Sequence, residues 1–148
     1  MVKLVFNMLA ICGAAGFAGV MLSIGVTLGG YWKSLTTREF LDWFAANNQF
    51  VSRSIPIIFV PTFLGVVGSI ALSWGETGLK FWVLSALCIV VVAVLTFGFF
   101  VPANTAFASG TMDEPEAAAK LDRWLQIHTW RITFGMAAAV FGCLALRG

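Results

Sequence analysis

The chain has 148 residues, of which 59% are hydrophobic and only 11% charged, with a formal net charge of +2. Soluble domains carry about a quarter charged residues, so a soluble globular fold is excluded. The basic residues are scattered rather than clustered, which argues against nucleic acid as a partner.

The first apolar run, Leu4 to Gly30, contains no charge and exceeds the ~20 residues that an apolar helix needs to cross hydrocarbon. Lys3 ahead of it and the small residues between Ala14 and Gly19 resemble a secretory leader. The run continues well past the length of a leader's apolar core, so a retained helix is expected. Ala15 with Gly19, and Gly25 with Gly29, have the four-residue spacing that lets membrane helices approach closely.

A long link of mixed character follows, and it predicts an interfacial helix. Thr36 and Glu39 have capping-box spacing. Phe40, Trp43, Phe44 and Asn47 recur at i, i+3, i+4 and i+7, and such aromatics suit the headgroup boundary. Asn47 and Asn48 are expected to end this helix, with Arg53 and Pro56 leading into a second uncharged run, Ile55 to Trp74. A short turn from Gly75 to Lys80, carrying Glu76, joins it to a third uncharged run, Phe81 to Val101.

Pro102-Ala103-Asn104 closes the third run, and Ser109-Gly110-Thr111 reads as a turn. Asp113 can cap a new helix, with Pro115 in its first turn. That helix is predicted to run from Glu116 to Leu146, soluble in its first turns and membrane-spanning afterwards. Only Ile132 to Leu146 is free of charge. To reach across, the span must recruit Gln126 to Arg131, which draws His128 and Arg131 below the interface. Arg131 has a stem long enough to snorkel; an imidazole does not.

The prediction is an all-α, four-transmembrane-helix bundle forming one domain over 1–148. Its spans lie at about 4–30, 55–74, 81–101 and 126–146, with an interfacial helix in the first long loop and an extended fourth helix. Both long links then share one membrane face. Lys33, Arg38, Arg53, Lys120, Arg123 and Arg131 lie on that face, against Lys3, Lys80 and Arg147 on the other. By the positive-inside rule the long links are expected in the cytoplasm.

Cys12, Cys88 and Cys143 lie one each in the first, third and fourth runs, with no C-x-x-C pair to support a thiol relay. A single histidine makes no ordinary zinc or copper site unaided, although a homo-oligomer would bring equivalent histidines together. That histidine, His128, shares a helical stripe with Trp124 and Arg131, the three falling within roughly 60° of one another. Ionisable groups at membrane depth are costly and usually functional. Asn47, Asn48, Arg53, Asn104, Trp124, His128 and Arg131 all belong to the long-link face, whereas Lys3, Glu76, Lys80 and Arg147 opposite show no pairing pattern. A pocket is therefore expected between the helices, opening toward the long links.

Pro102-Ala103-Asn104 followed by Trp124-x-x-x-His128-x-x-Arg131 resembles the anthrone oxygenase-like family of small four-span membrane proteins. Phe40-Leu41-Asp42-Trp43-Phe44 with Asn47, ahead of a proline-bearing second span, is similar to that family too. The resemblance covers nearly the whole chain. It implies a bacterial inner-membrane protein. It also implies the activity of fungal relatives, which oxidise an anthrone, a fused tricyclic phenol, to the anthraquinone with dioxygen as co-substrate and no recognised cofactor.

The residues suit that chemistry. His128 is the natural base for the acidic methylene of an anthrone. Arg131 can stabilise the oxyanion that develops on the carbonyl, and Trp124 offers a plate for stacking. Asn104 and Asn47 can hydrogen-bond phenolic oxygens in a dry pocket, with Asn48, Trp43 and Arg53 as further candidate contacts on the same face. Two other readings stay open at this point: a small-molecule binder or transporter using the same pocket, and an accessory subunit. Recruitment of a metal or a quinone stays open as well.

Overall fold

The apolar runs fold into four long helices: α1 (Val2–Ser34), α2 (Thr37–Leu72), α3 (Leu79–Ala108) and α4 (Glu114–Ala145). They are described by a computed structural model over residues 1–147, with no strand among the described residues. Each helix holds 30 to 36 residues, or about 45–54 Å at 1.5 Å per residue. That exceeds the ~30 Å hydrocarbon thickness. The protein is an all-α, four-span integral membrane bundle.

The interfacial helix expected in the first link is present, but it is the opening half of α2. Its start is fixed as predicted: Thr36 Oγ1 accepts from the Glu39 amide at 3.3 Å, and Glu39 Oε2 accepts from the Thr36 amide at 2.8 Å. Asn47 and Asn48 do not end it, and the helix continues through Arg53, Pro56 and Pro61. In lipid a broken helix exposes polar backbone that water cannot satisfy, so prolines are carried within the helix instead. The extended α4 is capped as expected, with Asp113 Oδ1 accepting from the Glu116 amide at 2.8 Å, and starts two residues earlier than predicted, at Glu114.

Helix α1 packs against α2 and α4, α4 also packs against α3, and the seam between α2 and α3 is the least filled. The half of the bundle near the termini is drawn together by small residues. Gly65 is obligatory there, because a Cβ would lie 2.3 Å from the Ala10 amide nitrogen. In this half Ser69 donates to Asn7 Oδ1 at 2.8 Å and Ser85 to the Ala138 carbonyl at 2.9 Å, whereas the buried Ser73 hydroxyl has no partner. Lys3 and Glu76, unpartnered in the sequence reading, form an ion pair on this face.

The other half is filled by aromatic rings. Trp32 lies 5.8 Å from Phe40, 5.5 Å from Phe44 and 5.4 Å from Trp124, centroid to centroid, and Phe107 lies 5.0 Å from Phe40. These side chains are almost wholly buried and form a plug beneath the long-link face. Of the paired small residues, Gly25 and Gly29 meet His128 and Leu125. Ala15 and Gly19 lie exposed on the outer surface of α1.

Two helices widen beside this plug. Ile24–Leu28 in α1 and Thr96–Phe100 in α3 are π-helical turns, a feature that recurs at functional sites. In α3 the Val101 amide reaches back to the Thr96 carbonyl, one residue further than in an α-helix. Pro102 follows immediately; it has no amide to donate, and its ring needs space against the Gly98 carbonyl. The wider turn accommodates both requirements.

Candidate functional site

Between the two π turns, just below the aromatic plug, lies a cavity of about 330 Å³. This sits at the small end of the ~300–1,000 Å³ range for small-molecule sites. Helix α1 contributes Met21 and Ile24, α3 contributes Phe100 and Asn104, and α4 contributes Trp124, His128 and Arg131; the α2 wall includes Pro56 and Phe59. The lining is overwhelmingly apolar; its few polar side chains are Ser52 on α2, Thr96 and Asn104 on α3, and Trp124, His128 and Arg131 on α4.

Trp124 and His128 stack face to face, with centroids 4.6 Å apart and planes 13° from parallel. The indole is held in turn, because its Nε1–H donates to Asn104 Oδ1 at 2.9 Å. His128 Nε2 lies 2.7 Å from the Met21 carbonyl. A carbonyl oxygen only accepts, so Nε2 carries the proton. In the uncharged ring Nδ1 is then the lone pair. It has no partner and is withdrawn from water. The Cδ2 edge of the ring rests on Gly25, where a Cβ would come within 3.1 Å. Nδ1, across the ring, therefore faces away from α1.

Arg131 is 2% exposed, so it does not snorkel. Its guanidinium carbon lies 4.2 Å from the Phe100 centroid and 5.8 Å from that of Phe17. Nε and Nη2 have no hydrogen-bond partner, and among the described residues no carboxylate pairs with it. A desolvated cation–π contact is worth about 2 kcal/mol, while removing a cation from water costs several. The aromatic rings do not offset that cost. The site is electrostatically incomplete, and an anion beside Arg131 would complete it.

Four of the sequence candidates come together here: Asn104, Trp124, His128 and Arg131. The others do not. Trp43 and Asn47 line a separate, more open hollow of about 260 Å³ between α1 and α2, which shares only Ile24 and Val51 with the cavity. Asn47 spends its amide on the Trp43 carbonyl at 2.8 Å. Asn48 borders neither hollow and Arg53 is exposed. The cavity itself opens between α2 and α3 and not, as the sequence suggested, toward the long links, which the aromatic plug closes.

A family model described as Anthrone oxygenase matches residues 40–141. The chain belongs to the anthrone oxygenase family. The matched stretch contains Asn104, Trp124, His128 and Arg131, while α1, with Met21 and Gly25, precedes it. Comparison with curated proteins and with solved structures found no match.

In this anthrone oxygenase family member several wall residues escaped the sequence reading. Phe100, central to the site through Trp124, His128 and Arg131, is one of 14 phenylalanines and stands in an uncharged run. Gly25 carried a signal, its spacing from Gly29, but spacing alone read as helix packing. The Asn104 clasp is testable. Asn104→Leu leaves a buried indole N–H unpaired, at a cost of about 1–3 kcal/mol. A lower thermal midpoint in detergent and a shifted Trp124 emission are expected; an unchanged midpoint and spectrum would show that the bond contributes nothing.

Proposed function

We propose that this protein is an integral-membrane oxygenase that converts a lipophilic phenolic aromatic of the anthrone type to the quinone, using dioxygen and no resident cofactor. The observation that carries the reading is Arg131: a buried guanidinium without a counter-anion, at the wall of an apolar cavity, beside an imidazole whose second nitrogen is free. That combination suits a neutral carbon acid that becomes an anion only after it is bound.

In the proposed sequence, His128 Nδ1 takes one proton from the ring methylene, and the electron pair spreads onto the carbonyl oxygen. Arg131 stabilises that oxyanion, an interaction strengthened where water is excluded. The electron-rich carbon then reduces dioxygen and combines with it, giving a hydroperoxide at the former methylene once a proton is returned. Loss of the remaining C–H proton with cleavage of the O–O bond leaves a carbonyl and releases water. One dioxygen is consumed per substrate; one of its oxygen atoms enters the quinone and the other leaves as water. Trp124, held by Asn104, supplies the face on which a flat polycycle rests.

The test is oxygen uptake by the purified protein in lipid nanodiscs with anthrone under ¹⁸O₂. Uptake above the spontaneous rate is expected, at one dioxygen per anthraquinone, with a single labelled atom in the quinone. Uptake no faster than in empty nanodiscs would sink the reading.

A further inference from the structure

We propose that substrate reaches the cavity sideways from the bilayer, through the seam between α2 and α3, and that Val60, Phe97 and Val101 decide what passes. The proposal deepens the oxygenase reading by naming its substrates as membrane-dissolved compounds.

Three observations converge on that seam. The first is which walls are closed. Toward the long links the cavity ends at the clasped Trp124, and the plug of Trp32, Phe40, Phe44 and Phe107 beyond it is 1% exposed or less at each ring. Toward the termini, behind the lining residues Met21 and Arg131, Val92 and Phe17 are closed to solvent, at 0% and 2% exposed. Neither end offers water a way in.

The second is which lining residues are exposed. On α2, Ser52, Pro56 and Val60 follow at i, i+4 and i+8; on α3, Phe97 and Val101 follow at i and i+4. Residues so spaced form one stripe on a helix, so each helix turns a single edge to the cavity and to the outside together. Val60 is 52% exposed, Phe97 69% and Val101 48%, although all three line the cavity. Their depth identifies that outside. Val60 stands five residues into the uncharged run that starts at Ile55, and Phe97 four residues before the end of the run that closes at Val101. At 1.5 Å per residue both lie about 6–8 Å inside the apolar zone, where the surroundings are acyl chains.

The third is local backbone. The α2–α3 seam is the least filled in the bundle, and irregular features stand on both of its edges. Pro56 on α2 leaves the Ser52 carbonyl without its intrahelical donor, and Phe97 lies within the π turn of α3. Non-helical backbone is tolerated at membrane depth where it lines a cavity.

The experiment uses the full-length protein in phosphatidylcholine vesicles with 3-trifluoromethyl-3-phenyldiazirine, an uncharged probe that dissolves among acyl chains. On illumination it loses nitrogen and inserts into nearby C–H bonds, and mass spectrometry locates the adducts. Adducts are expected on Met21 and Phe100, which are 0% and 2% exposed but line the cavity. None is expected on Trp82 or Phe107, equally buried but outside it. Val60→Trp, and independently Val101→Trp, should lower labelling of Met21 and Phe100 at least fivefold while labelling of the outer helix faces stays constant. Unlabelled Met21 and Phe100, labelling indifferent to both tryptophans, or labelling only by a charged, water-soluble diazirine would each overturn the lateral route. Oxygen uptake with anthrone dissolved in the same vesicles separates the two ideas. The route predicts at least a tenfold lower kcat/KM in Val60→Trp. Labelling as expected without any wild-type uptake would leave the route standing and remove the oxygenase.

Discussion

His128→Gln is expected to lower the rate of anthrone oxidation by about 10²–10⁴-fold, the usual contribution of a positioned general base, while leaving the bundle folded. Glutamine is chosen for its chemistry. Its amide N–H can still donate to the Met21 carbonyl, which now receives Nε2–H at 2.7 Å, but it has no basic lone pair to replace Nδ1. His128→Ala removes both functions and leaves the buried carbonyl short of a partner, so it should cost stability as well as rate. The comparison separates the two roles of one ring. If the glutamine variant were to oxidise anthrone at the wild-type rate, proton abstraction would belong to another group and the assignment to His128 would fail. If it lost activity only in step with its thermal midpoint, the imidazole would be a structural strut.

Arg131→Met should move activity and stability in opposite directions. The arginine is enclosed, faces no carboxylate among the described residues, and leaves two of its nitrogens without partners there. Methionine has a similar length and no charge to desolvate. By analogy with buried ionic groups replaced by apolar ones, the change should be neutral or stabilising by about 1–4 kcal/mol, seen as a higher thermal midpoint. Loss of the group that meets the developing oxyanion should meanwhile reduce kcat/KM by about 10²–10³-fold. Such opposition marks a residue kept for function at the expense of the fold. A lower midpoint with preserved turnover would mean that Arg131 holds the helices together through Phe100 and Phe17, and the oxyanion role would be lost.

Much of the architecture is written in runs of side chains. Four uncharged or nearly uncharged stretches can satisfy their backbones in lipid only as helices. Thr36 with Glu39, and Asp113 with Pro115, mark two helix starts by local hydrogen bonding that needs no tertiary partner. The α4 half of the site was legible for a similar reason, since Trp124, His128 and Arg131 share a stripe by helical geometry alone. Asn104 was legible because a lone amide stands out at the end of an apolar run.

What stayed hidden depends on contacts between distant segments. Asn47 reads as a partner for the site, yet α2 continues past it and turns it toward α1, on the far side of Val51. A polar residue after an aromatic stripe looks like a helix end when only neighbours are visible. Pro56, expected to lead from the link into the second span, instead stands with Pro61 inside one continuous helix. The π turns were not read from the sequence, and Phe100, which lies beside His128, belongs to the one in α3. Nor does any run of residues reveal that the aromatic cluster shuts the end of the bundle where a mouth was expected.

A site that draws its reactants from acyl chains counts encounters per area of bilayer and not per volume of water. Poor aqueous solubility then ceases to be a handicap and becomes the property that concentrates a molecule around the protein. Dioxygen, itself apolar, shares that advantage. For the proposed oxygenase the same arrangement would return the quinone to the lipid, its onward fate then set by how long it lingers in the membrane.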